Sequence, residues 1–578
     1  MSGNNINPNM DKFILGVHNG LESGVCLFKN GKIVEAVSEE RFNYVKVFAG
    51  IPKLAYEYIL KKYKIKPENI HSVVYSRVTF KNSWLKYSIK IFKKLIISII
   101  SNPLTIKVFI HRIKTELHDV VFKKEFYQWT QSLGINKNKI VLLEHHKAHA
   151  WSAFACSPFK EAIVITADGR GDFKSTTVSE ASLTNGIKEL DFLSSFDSLG
   201  FLYAQVTKYL GFRPHRHEGK VTGLAAFGEP NKTIGFFKEM VSWNEILGHW
   251  NTNLSLYSPH NINDLKSFKN KLDEFKKEDI AAGVQKHCED LIVKYIKHWL
   301  KKINKKDPIN ICLAGGLFAN VKINQNISEI KGIKNIFVFP NMGDGGLTVG
   351  GACYQNYLLT GKAKVDFSTV YLGEEFNNEQ ILNFLNIKKE KISFNKMQDR
   401  SSEISKELEE GKVVGYFDGR MEFGPRALGA RSILVNARKK SINDDLNNRL
   451  ERTEFMPFAP VTPEEFASES YENWSSDHVA SHFMTRTYNC KIDFISKHPA
   501  VVHIDGTARP QIIRAKHNQR YYDVIKKYCD RNNEKALINT SFNAHEQPIV
   551  ISPDLAIKCL LENRIDILVL SDYIVRRK

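Results

Sequence analysis

His145, His149, Asp168 and Asp344 are the residues of this chain whose types and spacing best suit a bound metal ion. The two histidines stand in Glu144-His145-His146-Lys147-Ala148-His149-Ala150. If 144–154 is helical, they lie four apart on one face and both rings can reach one ion. Asp168 closes the apolar run 162–167 and opens Asp168-Gly169-Arg170-Gly171-Asp172. Asp344 follows the apolar run 335–340, within Asn341-Met342-Gly343-Asp344-Gly345-Gly346. Each aspartate is expected at the end of a buried strand, where open α/β sheets place their ligands. Two imidazoles and two carboxylates suit Fe(II), Mn(II) or Zn(II) better than Mg or Ca.

A second chemistry is written in loops that could hold phosphate groups. The strand 309–313 ends in Ala314-Gly315-Gly316, and Gly345 belongs to a similar glycine loop. A strand, a glycine pair and a helical pattern from Leu317 would aim backbone N–H groups at an anion. Asn320 follows in that pattern, and Lys220 stands in the charged, glycine-rich run 215–228. Further on, Arg420, Arg426 and Arg431 punctuate 419–432, Arg509 lies in 503–511, and Ser541 and Asn543 follow the strand 536–538. Arginines, a serine and an asparagine in glycine-rich turns are what a site for several phosphates requires.

These residues need elements to carry them. Phe13–Val17, Gly24–Phe28 and Ile33–Val37 read as an opening meander, with a hairpin turn at Lys29-Asn30-Gly31-Lys32. Glycines in the first turn of such a meander recur in ATP-binding folds of the actin and sugar-kinase type. Residues 81–115 carry eight Lys or Arg and no acid among apolar residues. They read as an ordinary helix pair with snorkelling lysines, or as a basic amphipathic element that could touch a membrane surface weakly. The stretch 230–280 is polar and reads as a surface insertion. A composition shift at 360–370 marks a domain boundary.

The bulk numbers agree with a soluble globular protein of two to four domains. At 578 residues the chain exceeds one ordinary core. Its 82 Lys+Arg against 63 Asp+Glu give a net charge of +19, which reads equally as a preference for anionic partners or as a Lys-rich composition with a solvated basic face. The eight cysteines are scattered without a CxxC pair, so neither a zinc ribbon nor a disulfide framework is indicated and a reducing cytosol is expected. Met1–Asp11 lacks the apolar core of a secretion signal, and the apolar run 95–106 is too short to span a bilayer. A cytoplasmic location is the expectation.

The motifs together resemble the O-carbamoyltransferase family of antibiotic, toxin and nodulation-factor biosynthesis. The resemblance rests on 145–150, 219–225, 314–316, 341–346, 419–432, 457–460, 503–511, 539–543 and 545–550, in one order over roughly 12–578. It implies a two-lobed, actin- and sugar-kinase-like metal-binding transfer domain at 12–360. An α+β, YrdC-like carbamoyl-adenylate-forming domain would follow at 370–578. It also implies carbamoyl phosphate and ATP (with Mg) as co-substrates and iron as the first choice of metal. The acceptor would be a hydroxyl of a glycan, an amino sugar or a natural product, with no nucleic acid involved.

In this scheme Arg509 and Ser541 serve catalysis, while Gly315, Gly316, Asn320, Gly345, Lys220, Arg420, Arg426, Arg431 and Asn543 bind the phosphorylated substrates. The family's first-turn His-Asp pair is replaced here by Leu21-Glu22, which leaves His18, partnered by Glu22, as the expected base. A family lysine before Pro457-Phe458-Ala459-Pro460 is also missing, near Glu451-Arg452-Thr453-Glu454. Two alternatives remain: a tRNA threonylcarbamoyladenosine-type enzyme, which would lack a recognisable RNA-binding module, and a non-catalytic ATP-binding interaction protein, which the arginine loops disfavour.

Overall fold

A computed structural model describes residues 13–77, 105–304, 308–453 and 455–578, apart from the side chains of 105–109 and 111–119. The opening meander forms as expected: β1 (Phe13–His18), β2 (Gly24–Lys29) and β3 (Lys32–Ser38) are antiparallel neighbours. β4 (Ile70–Tyr75) pairs parallel to β1, and β5 (Ile140–Leu142) parallel to β4, giving the order β3-β2-β1-β4-β5. The apolar stretches of β1, β2 and β4 are buried on both faces, which explains their continuous rather than alternating hydrophobicity.

The second sheet repeats the first. β6 (Glu161–Gly171), β7 (Lys174–Ser182) and β8 (Gly186–Ser194) form an antiparallel meander. After the small hairpin of β9 (Val241–Asn244) and β10 (His249–Thr252), β11 (Ile309–Ala314) adds parallel to β6 and β12 (Ile333–Val338) parallel to β11. Strand order and strand directions match the first sheet one for one. This duplication is the two-lobed, actin- and sugar-kinase-like architecture expected of the first half.

Between the two sheets lie the His145–Cys156 and Leu347–Thr360 helices, in one apolar cluster with residues of both. They approach so closely that a Cβ at Gly350 would stand 1.9 Å from the Ala148 carbonyl oxygen, and one at Gly16 1.8 Å from that of Thr348. Gly350→Ala should therefore destabilise the protein by about 1–3 kcal/mol through overpacking, read as a lower urea midpoint. An unchanged midpoint would show that this packing yields without cost.

The third sheet belongs to the second half. Its strands are β13 (Ile392–Lys396), β14 (Val414–Phe417), β15 (Arg431–Asn436) and β16 (Ala459–Pro463), with a two-stranded accessory pair of β17 (Tyr488–Asn489) and β18 (Thr507–Ala508). β19 (Gln511–Ile513), β20 (Leu537–Ser541), β21 (Ile567–Leu570) and β22 (Tyr573–Arg577) complete it. The eight-stranded order is β13-β22-β21-β14-β15-β20-β16-β19, with mixed directions and an apolar cluster on each face.

Three expectations need correction. Asp168 does not end its strand: β6 runs on to Gly171 past a register shift after Ala167, so Asp168 sits in a bulge. The stretch 230–280 is not a surface insertion, because Phe237, Trp250, Tyr257, Phe268 and Leu272 enter the largest core. The helix after Gly315-Gly316 begins later than Leu317: a 3₁₀ turn, Gly316–Ala319, precedes the Val321–Ser328 helix that Asn320 caps. Most of 81–115 lies outside the described residues; its last part opens the Thr105–Ser132 helix. Among the described residues no helix is long and apolar enough to cross a membrane, and all eight cysteines are buried and unbonded.

Candidate functional site

The start of the His145–Cys156 helix is pinned from three sides. Glu144 caps it, accepting from the His146 and Lys147 amides at 3.0 and 2.9 Å. The His145 amide donates to Asp172 Oδ2 at 2.9 Å, and His146 Nδ1 meets the Thr166 hydroxyl at 2.8 Å. Only glycine fits opposite: a Cβ at Gly171 would stand 2.1 Å from the His145 ring.

So held, His145 and His149 project their Nε2 atoms 3.4 and 3.2 Å from Asp168 Oδ2. Asp344 Oδ1 closes the group at 3.5 and 3.6 Å, and all four donor atoms lie within 4.8 Å of one another. The two imidazole nitrogens face each other at 3.1 Å, a spacing that calls for a cation or a shared proton between them. Burial alone would lower the His149 imidazole, yet Asp168 and Asp344 outweigh it and raise it to about 9. Against the same burial, the His145 charge and bonds from His149 and His18 hold the Asp344 carboxyl well below its ordinary range. The cluster demands positive charge at its centre, and its donors fit a borderline divalent ion. All four predicted ligands are brought together.

The expected base needs revision. His18 is fully buried, lies beneath Gly20 and turns Nε2 toward Asp344 Oδ2 at 3.5 Å. It does not line the cavity beside the cluster; it orients Asp344 from behind. Glu22 does line that cavity, which measures about 630 Å³. Its backbone is left-handed (φ 56°), and its Oε2 accepts the Gly345 amide at 3.1 Å. A Cβ at Gly343 would stand 2.4 Å from the same oxygen, so the glycines of this loop make room for Glu22. Desolvation raises the Glu22 carboxyl to about 7, against the Gly345 bond. Gly345 thus binds Glu22 rather than lining the cavity, and Gly315 (φ 105°) forms a tight turn that bonds the Met342 carbonyl. Gly316 and Asn320 do line it.

A second cavity of about 260 Å³ collects the basic residues. Lys220, Arg426, Arg509, Ser541 and Asn543 line it as expected, joined by Lys46, Arg216, His217, Arg452 and His545, which sequence reasoning missed. Arg452 is the most informative of these. Its guanidinium donates to Thr540 Oγ1 (2.8 Å), Ser541 Oγ (3.0 Å) and Asn543 Oδ1 (2.9 Å), so it organises the Asn539–Asn543 loop. It stands near the missing family lysine, which was its one signal. Lys220 Nζ reaches Thr453 Oγ1 at 2.8 Å across the two halves. Glu422 shapes the Arg426 loop by accepting from the Leu428 amide at 2.6 Å.

Arg420 and Arg431 are not brought to either cavity. Arg420 bonds Glu35 Oε2 at 2.7 Å and the Leu372 carbonyl at 2.8 Å, tying the second half to the first sheet. Arg431 is fully buried over the Phe417 ring, and its Nη1 and Nη2 donate to backbone carbonyls, including those of Gly419 and Glu374. Both are structural cations. The two cavities share a wall: Arg216, Gly219, Thr222, Ala319, Pro425 and Arg426 line both.

Comparison with known proteins now decides the family. Residues 13–353 match the family profile described as carbamoyltransferase N-terminus, and 405–577 match that of carbamoyltransferase C-terminus. The chain belongs to the carbamoyltransferase family. An uncharacterized protein of Methanocaldococcus jannaschii is 33% identical over 497 residues, covering 81% of this chain and 78% of that protein. Nodulation protein NolO of Bradyrhizobium diazoefficiens is 32% identical over 75% of this chain and 79% of its own length. Nodulation protein NolNO of Sinorhizobium fredii is 29% identical over 96% and 79% respectively. This carbamoyltransferase therefore shares sequence with its relatives over both halves.

Proposed function

We propose that this carbamoyltransferase activates carbamoyl phosphate with ATP in the arginine cavity and transfers the carbamoyl group to an acceptor hydroxyl beside the His–Asp cluster. The observation that carries this reading is the wall shared by the two cavities. Residues 370–578 then act as the YrdC-like adenylate-forming domain and 12–360 as the transfer domain.

The chemistry explains why two sites are needed. A carbamoyl carbonyl is a poor electrophile because its nitrogen lone pair delocalises into it. Water first removes the phosphoryl group of carbamoyl phosphate, giving carbamate and phosphate. A carbamate oxygen then attacks the α-phosphorus of ATP, and pyrophosphate leaves. Arg426, Arg452 and Arg509, with Lys220, offset the charge of phosphorylated substrates brought together, and Ser541 and Asn543 supply neutral hydrogen bonds. The product is carbamoyl-adenylate, a mixed anhydride with AMP as a good leaving group.

In the transfer step the acceptor oxygen adds to the carbonyl carbon, AMP departs with the electron pair, and a base takes the hydroxyl proton. Glu22 is that base, since its carboxylate lines the cavity beside the cluster. A divalent ion, iron by family resemblance, held by His145, His149, Asp168 and Asp344 would supply Lewis acidity and a counter-charge for the adenylate phosphate. Enclosure in two adjoining cavities limits hydrolysis of the anhydride. A glycan, amino-sugar or natural-product hydroxyl remains the acceptor class implied by the family.

Pyrophosphate release that requires both ATP and carbamoyl phosphate tests the reading. Release supported instead by bicarbonate and threonine would assign the chain to threonylcarbamoylation. Glu22→Gln should slow carbamoyl transfer by about 100-fold without slowing pyrophosphate release. Transfer at the wild-type rate would remove Glu22 from the reaction.

A further inference from the structure

The wall between the two cavities is fastened by one carboxylate. Glu546 Oε2 accepts from Arg213 Nη1 at 2.8 Å and Arg216 Nη1 at 2.9 Å, while Oε1 meets His217 Nε2 at 2.8 Å. The three donors come from the first half and Glu546 from the second. Arg216 also donates from Nη2 to the Lys46 carbonyl at 2.8 Å, and the Tyr44 hydroxyl reaches Gln547 Oε1 at 3.5 Å. Three segments distant in sequence, 44–47, 213–217 and 545–547, are thus drawn into one clasp. Arg213 is 67% exposed, so the clasp faces solvent on one side, whereas Arg216 lines both cavities on the other.

The same segments hold four non-glycine residues in left-handed backbone: Tyr44 (φ 60°), Val47 (φ 53°), His215 (φ 64°) and Glu546 (φ 60°). Such a conformation is rare for a β-branched residue like Val47, and it persists only where surrounding contacts impose it. Glu546, His217 and His545 also lie close enough to hold a metal ion. The hydrogen bonds argue otherwise. His217 Nδ1 accepts the Arg213 amide at 3.2 Å, which leaves the proton on Nε2 to donate to Glu546, and two guanidiniums occupy the other carboxylate oxygen. The group is a clasp of two guanidiniums and an imidazole N–H on a carboxylate.

We infer that Glu546 is a positioning residue that fixes Arg216 at the junction of the two cavities, where its guanidinium retains the phosphate of the activated intermediate. The inference rests on the adenylate chemistry proposed above. Two donors of Arg216 are committed to Glu546 and to the Lys46 carbonyl, and the rest of the planar fork serves an anion at the junction. Without the Glu546 carboxylate the wall loses its charged tie, Arg216 is left with the Lys46 carbonyl alone, and the intermediate escapes. Water then adds to its carbonyl carbon, the acyl–oxygen bond breaks, AMP leaves with the electron pair, and carbamate and a proton are released.

The test needs no acceptor. Full-length enzyme mixed with ATP and carbamoyl phosphate alone should give a pyrophosphate burst, followed by slow AMP release as the intermediate leaks. Glu546→Gln should keep the burst amplitude within about twofold and raise the rate of AMP release about tenfold. Should Glu546→Gln fail to fold, Glu546→Asp keeps the charge but draws the carboxylate back from Arg216, and it carries the same expectation. An unchanged leak would overturn the inference, and so would a burst lost in proportion to the leak, the mark of a merely structural role. A wild type without any carbamoyl-phosphate-dependent burst would instead overturn the activation chemistry itself.

Discussion

His149→Ala is expected to abolish carbamoyl transfer while leaving carbamoyl-phosphate-dependent pyrophosphate release near the wild-type rate. The cluster needs positive charge between two imidazoles and two carboxylates, and His149 is its most buried donor, in contact with the other three. Removing it leaves Asp168 and Asp344 facing each other with one imidazole. Lewis acidity toward a carbonyl contributes several kcal/mol, so the loss should exceed about a thousandfold. Transfer can be followed as label moved from carbamoyl phosphate into small molecules extracted from a strain lacking the enzyme. Bound transition metal per chain should fall in the same variant. A wild-type protein that holds no transition metal and transfers fully in chelator would remove the metal from the account.

Arg509→Ala should have the opposite signature. Arg509 lines the smaller cavity with Arg426, Arg452 and Lys220, where two phosphorylated substrates must meet. Withdrawing one cation from beside paired phosphates costs about 2–4 kcal/mol, roughly a 30- to 1000-fold loss of pyrophosphate release. Metal content should stay unchanged. Pyrophosphate released by the variant at the wild-type rate would place the activation site elsewhere.

The metal cluster was legible in the sequence because its spacing is local. A His at i and i+4 share a helix face whatever surrounds the helix, and an apolar run ending in Asp-Gly marks a strand leaving the core. Even there the geometry differed in detail: the β6 backbone continues past Asp168 through a bulge, which apolar periodicity does not register. Arg452 was not legible as a site residue, because its partners lie 88–91 positions away and only the sheet brings them near. Arg420 and Arg431 were misassigned for a related reason. A glycine-flanked arginine reads the same whether it faces a phosphate or a ring of backbone carbonyls, and burial of Arg431 against Phe417 decides between the two. A histidine ordinarily suits proton transfer near neutral pH, but His18 ends β1 with its ring turned inward, toward Asp344, where burial lowers its pKa. The polar stretch 230–280 hid its role because its few large apolar residues are too widely spaced to show a period, although they meet in one core.

Supplying carbamoyl-adenylate directly to the two variants tests the division of labour between the cavities. Arg509→Ala, given the preformed intermediate, should transfer carbamoyl groups at close to the wild-type rate, because only its activation step is damaged. His149→Ala should remain inactive with the same intermediate. Continued inactivity of Arg509→Ala, or transfer by His149→Ala, would contradict the assignment of activation to the arginine cavity and transfer to the His–Asp cluster.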